Sequence, residues 1–488
     1  MSFAHTTRRA RLVIETLPLD RPPGALFDAL VQEPDPVFLD SAALHAEYGR
    51  YSVLACRPLE VLTLRDGVLT DAAGQELASG DDAIWAALHR AFGAVAAEST
   101  GPDDPLYLPG WFGYLGYEMG RYVERLPGRA PHRTHLPDLR LAFHDAVLIC
   151  DAVHRTWRLA CLEFDDPPEG AGRAAEALRR VVRQAAHARE QAFPTPAETA
   201  DGRPLPAVTA TPDFQPDSYR RAVARCVEYI AAGDIFQVNL SQRFGVQNAP
   251  PPAAIYRALR SRNPAWYAAY LGFIAQSRPC AILSSSPELF LRVREDRVTT
   301  RPIKGTRRRG GDGRADAAAA SELLASEKDN AELAMIIDLL RNDLGRVCRY
   351  GSVRVVEPRR LETHPTVFHL VGTVEGRLRA GVGPAELLRA TFPGGSITGA
   401  PKIRAMEIID ELEPAARGVY TGCIGCVGVN GSAEWNIAIR TIVWDDSTAH
   451  VQVGGGIVAD SSPDGEYQET LDKARAMLEA IGMAGGMG

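Results

Sequence analysis

The 54 basic side chains of this 488-residue sequence comprise fifty arginines and four lysines, Lys304, Lys328, Lys402 and Lys473. Where arginine serves as the general cation, a lysine marks a place that a planar, permanently charged guanidinium cannot fill, because only the amine can lose its proton and act as a nucleophile. Lys304 lies in Arg301-Pro302-Ile303-Lys304-Gly305-Thr306, where a proline stiffens the approach and a glycine leaves room beside the amine. Its position suits either a nucleophile or a cation that contacts an anion. Just upstream, Ser284-Ser285-Ser286-Pro287-Glu288-Leu289-Phe290 sets a carboxylate after a proline and between apolar stretches. Glu288 is therefore either a capped strand end or a buried general acid.

Two segments offer paired acids at helical spacing. Residues 328–343 bring Asp329, Glu332 and Leu333 onto one face, and residues 466–473 do the same for Glu466, Glu469 and Lys473. Facing one another, such helices could hold Mg²⁺ with water left in its shell; as ordinary solvated faces they would show the same pattern. Between them, Thr391-Phe392-Pro393-Gly394-Gly395-Ser396-Ile397-Thr398-Gly399-Ala400-Pro401-Lys402 is a Gly/Ser/Thr loop opening a helix, where backbone amides can hold a carboxylate or phosphate. It lacks the phosphate-loop pattern of nucleotide-binding enzymes. The pair Cys423 and Cys426, in Thr-Gly-Cys-Ile-Gly-Cys-Val-Gly-Val, has no second half and no nearby histidine, and reads as a buried strand rather than a zinc site.

The elements that must position these groups are mixed. Short alternating stretches, such as Val61 to Leu64 and Leu139 to Cys150, precede residue 170, and a helix is predicted over about 171–192. Residues 191–216 are rich in Pro, Ala and Thr and read as a linker between an N-terminal part, 1–190, and a catalytic part, 217–480. Beyond it the pattern predicts a helix from Ser218 to Gly233, a strand through Gln237, one long helix from Ala315 to Leu344, strands near 352–357 and 371–376, a helix from Pro401 to Glu411 and a strand-rich meander from Tyr420 to Val458. Without regular βαβ alternation the fold class is α+β: antiparallel sheets with flanking helices in one interlocked body. A net charge of −7 argues against nucleic acid and polybasic membrane docking. No apolar run is long enough for a membrane span or signal core, so a cytoplasmic enzyme is expected.

The ordered series GDIFQVNLSQRF, SSSPELF, PIKGT, KDNAELAMIIDLLRNDLGRV, HLVGTVEG, FPGGSITGAPK, RGVYTG, AIRT and GGGIVADSSPDGEYQETLDKA resembles the chorismate-utilising enzymes. These include the large components of anthranilate synthase and aminodeoxychorismate synthase, with isochorismate and salicylate synthases as cousins. The N-terminal stretches Phe38-Leu39-Asp40-Ser41 and Gly110 to Glu118 resemble the family's more variable part. The resemblance implies an anthranilate synthase component I-like fold and Mg²⁺ as cofactor. It implies Glu288 as general acid, Glu332 and Glu469 as Mg²⁺ ligands with Glu466 in support, and Thr306, His369, Ser396, Tyr420, Arg440, Gly456 and Lys473 around chorismate.

Within the family, Gln237 stands where water-adding members carry a lysine, and Lys304 stands where aminodeoxychorismate synthases carry the lysine that attacks the ring; anthranilate synthases have alanine there. The resemblance thus implies the aminodeoxychorismate type, making 4-amino-4-deoxychorismate for folate and 4-aminobenzoate synthesis. The alternatives are the anthranilate type, which also eliminates pyruvate, and a binding module that keeps the fold without activity. Ammonia would come from a separate glutamine amidotransferase subunit, since none of the eight cysteines sits in a Gly-x-Cys-x-Gly elbow. Asp329 and Gly372 stand where the family more often has glutamate and serine.

Overall fold

The computed structural model describes residues 7–98, 107–187 and 209–485. Most of the predicted linker, 191–208, lies outside them. Two large sheets carry the fold, and each takes strands from both halves of the chain. In the first, the strand Tyr267–Ala275 pairs with Val37–Asp40, Ala268 opposite Asp40. In the second, Cys423–Gly428 pairs with Gly110–Leu115, Cys423 opposite Leu115. At that join Gly425 faces Gly113, and only glycine fits: a Cβ would stand 1.9 Å from the Glu434 carbonyl oxygen in one case and 2.0 Å from the Arg140 carbonyl oxygen in the other. Among the described residues every strand pairing but that of Arg8–Leu17 with Val95–Glu98 is antiparallel. The fold is α+β, with the halves interlocked.

Helices cover the sheets through apolar faces. The C-terminal helix Pro463–Gly485 buries Ala474, Met477, Ala480 and Ile481 in a core shared with Tyr256 and Leu259 of the helix Pro252–Arg262, which leaves Glu466, Glu469 and Lys473 facing a cavity. The second acid-bearing helix, Glu327–Gly345, buries Leu333, Ile336, Ile337 and Leu340, and Glu332 reaches the same cavity. Cys423 and Cys426 are buried in the join strand, and burial pushes both thiols well above their ordinary pKa. No described helix is long and apolar enough to cross a membrane.

Two expectations change. The long helix predicted over 315–344 is two helices, Gly313–Ala325 and Glu327–Gly345, divided at Ser326. Ser326 has an extended backbone, and its hydroxyl accepts from the Asp329 N–H, an N-cap inside a run of good helix formers. The alternating stretch 139–150 is likewise two strands, Leu139–His144 and Ala146–Asp151, in different sheets.

Because both sheets run through both halves, residues 209–485 expressed alone would expose Tyr267–Ala275 and Cys423–Gly428 as unpaired hydrophobic edges. Such a fragment is expected to aggregate; a monomeric fragment with a cooperative thermal transition would contradict this.

Candidate functional site

The catalytic-half ends of the two sheets and the two acid-bearing helices enclose a cavity of about 1360 Å³. The twelve residues that the resemblance places at the site all line it: Glu288, Lys304, Thr306, Glu332, His369, Ser396, Tyr420, Arg440, Gly456, Glu466, Glu469 and Lys473. Lys304 enters from the strand Ile303–Arg308, with its side chain 13% exposed and its Nζ 3.8 Å from Glu332 Oε2. Burial lowers its pKa, against the pull of Glu332 and Glu288. The same Nζ lies 3.6 Å from the point where Gly456 would carry a Cβ, and the Gln237 amide nitrogen lies 2.2 Å from that point. Glycine at 456 therefore leaves room for Gln237 beside Lys304.

Glu288 is held by its backbone as well as its carboxyl. Its N–H donates to Ser286 Oγ at 3.3 Å and its carbonyl accepts from Ile437 N–H at 3.0 Å. Burial raises its carboxyl to about 7, although hydrogen bonds from Ser396 and the Ile303 backbone and the charge of Lys304 oppose this. A carboxyl so poised can give up a proton near neutrality and take it back.

Opposite, Thr306 Oγ1 and His369 Nδ1 are 2.9 Å apart. Burial, reinforced by Arg440 and His364, drives the His369 pKa well below its ordinary value, so the ring is neutral. Arg440 has a left-handed backbone (φ 49°) and donates to Asn263 Oδ1 at 3.3 Å. Burial lowers its pKa, and among the described residues no carboxylate pairs with it. An arginine withdrawn from water without a counter-charge is matched to an anionic ligand. Tyr420 is buried, and its phenol is raised in pKa by that burial.

The acids line the cavity with Lys473 among them. Lys473 Nζ is 2.6 Å from Glu469 Oε1 and donates to the Gly454 carbonyl at 2.9 Å. Burial disfavours charge on Glu469, but Lys473, Lys328 and Lys304 outweigh it and lower its pKa. Glu466 is raised, by burial and by Glu469, while accepting from Ser461 Oγ at 2.6 Å. A Cβ on Gly455 would stand 2.9 Å from Glu466 Oε2 and 3.7 Å from Glu469 Oε1, so this glycine keeps open a cradle of hard oxygens. Among the described residues no three His, Cys, Asp or Glu side chains stand close enough to hold a metal by themselves. Mg²⁺ ordinarily takes one or two carboxylates and completes its shell with water and ligand oxygens, and Glu332, Glu466 and Glu469 fit that donor set.

Other residues differ from expectation. Lys402 is a structural tie, its Nζ donating to Asp343 Oδ2 at 2.6 Å and the Thr391 carbonyl at 3.1 Å, so only three of the four lysines face the cavity. Asp329 pairs with Arg307 at 3.1 Å, beside Gly305. At Gly372 a Cβ would lie 2.6 Å from Ile337 Cδ1, so this isoleucine fills the space of a serine side chain. Asn263 and Asn239 line the cavity unforeseen. Asn263 follows the last turn of a helix, and nothing local in the sequence tells such a terminal asparagine from one that serves Arg440.

Comparison with known proteins agrees with this geometry. A family model described as chorismate binding enzyme matches residues 43–479. Anthranilate synthase component 1 of Thermus thermophilus is 40% identical over 448 residues, 92% of each chain. Aminodeoxychorismate synthase component 1 of Bacillus subtilis is 38% identical over 438 residues, 89% of this chain and 90% of that one. The crystal structure of anthranilate synthase component I from Streptococcus pneumoniae superposes with a TM-score of 0.72 at 31% identity, covering 89% of this chain and 94% of that one. The chain belongs to the chorismate-binding enzyme family, as a chorismate-utilising enzyme of the anthranilate synthase and aminodeoxychorismate synthase type.

Proposed function

We propose that the chain converts chorismate and ammonia to 4-amino-4-deoxychorismate, through a covalent bond between Lys304 and the ring. The observation that carries this reading is the place of the amine: a mostly buried lysine, 3.8 Å from Glu332 and near Glu288, in a cavity that it shares with Thr306, His369, Arg440 and Glu469.

Arg440, with the neutral His369 and Thr306, holds the substrate's carboxylate side and orients the ring. Glu332, Glu469 and Glu466 would hold Mg²⁺, which when bound supplies positive charge to substrate oxygens. Lys304 Nζ, as the neutral amine, bonds to the far end of the ring diene. Both double bonds shift, the C4–O bond breaks, and Glu288 protonates the departing oxygen, which leaves as water. Ammonia then bonds to C4, the double bonds return, the C–N bond to Lys304 breaks, and the Glu288 carboxylate takes up the surplus proton. The sum is chorismate plus ammonia giving aminodeoxychorismate plus water, with enzyme restored. The anthranilate type is the second reading, favoured by the name of the 40% identical Thermus relative. We propose further that ammonia reaches the site from a separate glutamine amidotransferase chain in the cytoplasm; the component 1 names of relatives support a partner.

With chorismate, ammonia and Mg²⁺, the purified chain is expected to give 4-amino-4-deoxychorismate by mass spectrometry and chromatography, and to be inert with glutamine alone. Anthranilate and pyruvate as products would install the second reading.

Lys304→Arg should fail about as badly as Lys304→Ala, a loss of about two powers of ten or more in kcat, because guanidinium keeps the charge but is no nucleophile near neutral pH. Recovery of most activity by arginine would leave Lys304 as an anchor only.

Glu332→Ala or Glu469→Ala, each removing a hard oxygen from the cavity, should raise the Mg²⁺ concentration for half-maximal rate about tenfold or more. A titration curve coincident with that of the parent enzyme would overturn the assignment.

The alkaline limb of kcat/KM should fall as pH rises through about 7, because Glu288 must enter the reaction protonated and is raised to that value. Glu288→Gln should lose activity at every pH; a variant with the parental profile would remove Glu288 from the mechanism.

A further inference from the structure

Arg417 lies outside the cavity, yet it ties together three of the segments that line it. Its side chain is 1% exposed and pairs with Glu413, Nε to Oε2 at 2.9 Å and Nη2 to Oε1 at 2.7 Å. The remaining donors go elsewhere. Nη1 donates to the Ile397 carbonyl at 3.0 Å and to Thr421 Oγ1 at 3.2 Å, and Nη2 donates to the Asn239 carbonyl at 2.7 Å. Ile397 follows Ser396, the residue bonded to Glu288; Asn239 lies on the strand Gln237–Val246; Thr421 follows Tyr420. The guanidinium also lies over the Tyr420 ring at 5.8 Å and over Tyr117, of the N-terminal half, at 4.6 Å.

The N-terminal half fixes this arginine from behind. Both oxygens of Glu118 are occupied by backbone donors, Oε1 by Arg417 N–H at 2.9 Å and Oε2 by Gly418 N–H at 2.8 Å. Glu413 is also shared, since Oε1 accepts from Ser241 N–H and Ser241 Oγ, both at 2.8 Å. A buried guanidinium must satisfy its N–H donors wherever it sits, so what matters is where they go. Here two guanidinium nitrogens reach backbone carbonyls on two separate segments, an arrangement that requires the rigid fork of arginine and that a single ammonium cannot copy.

We propose that Arg417, braced by Glu413 and Glu118, is a positioning residue: it sets the relative places of Ser396, Asn239 and Tyr420 and thereby aims the Glu288 carboxyl at the reacting bond. Thr306, His369 and Arg440 lie on elements that the Arg417 side chain does not touch, so the anchorage of the substrate's anionic side does not depend on it. The effect therefore falls on turnover more than on affinity.

This assignment rests on chorismate being the substrate, and the parent enzyme with chorismate, ammonia and Mg²⁺ is the reference. A parent enzyme that does not consume chorismate would overturn the proposed reaction, whereas a parent that does so leaves the variants to judge Arg417. Arg417→Lys keeps the charge against Glu413, and the double variant Arg417→Met with Glu413→Met removes both charges together, so that neither is left buried without its partner. Both are expected to remain folded with a cooperative thermal transition, to lose about fiftyfold or more in kcat, and to keep the chorismate KM within about threefold. A folded variant with parental kcat, or one whose loss lies in KM alone, would overturn the proposal. Should neither variant fold, Glu118→Gln decides. It keeps size and shape but offers one acceptor to two N–H donors, so kcat should fall about fivefold at unchanged melting temperature; unchanged kcat would overturn the proposal.

Discussion

Lys304 brings an amine out of water into a wall of carboxylates, and the balance of opposite charges there is the constraint on which the rest of the site depends. Burial lowers the pKa of Lys304 and raises those of Glu288 and Glu466, favouring the neutral form of each. The opposing pull of Glu332 on the lysine, and of Lys473, Lys328 and Lys304 on Glu469, keeps the two sets in register across the cavity. Arg440, which among the described residues has no carboxylate partner, adds a buried positive charge that suits a substrate arriving as an anion.

The fold supplies this by bringing elements distant in sequence into close approach. The strand Thr448–Ile457 contributes Gly454, Gly455 and Gly456 at the point where it passes the catalytic groups. A Cβ at 455 would press on Glu466, and one at 456 would press on Gln237. The helices that carry the acids are seated by ordinary apolar faces, Leu333 and Ile337 in one, Ala474, Met477 and Ile481 in the other. Each large sheet is continuous from the N-terminal half into the catalytic half, and Glu118 extends that continuity to the backbone of Arg417. Half of the chain thus acts on the site without lining it.

Much of the site was legible in the sequence because its chemistry is carried by residue type. Lysine in an arginine-rich chain marked Lys304, Lys328 and Lys473, and helical spacing put the acids on common faces. The same reasoning misplaced Lys402, since a lysine bonded to a buried Asp343 looks, in sequence, like one that meets a ligand. Periodicity found the helices but ran two of them together, because Ser326 caps the second within an unbroken helix-forming run. It also could not divide 139–150 between two sheets, a matter of tertiary partners only. Arg417 stayed unassigned for a similar reason: its partners at 118, 239, 397 and 413 meet only after both sheets have formed.

The central claim is that Lys304 bonds to the ring, and the most direct test is intact-mass analysis of the protein after incubation with chorismate and Mg²⁺ in the absence of ammonia, followed by peptide mapping. The account predicts an added mass equal to chorismate less one water, located on Lys304, that discharges when ammonia is supplied. An unmodified Lys304 in an enzyme that turns over fully once ammonia is added would contradict it.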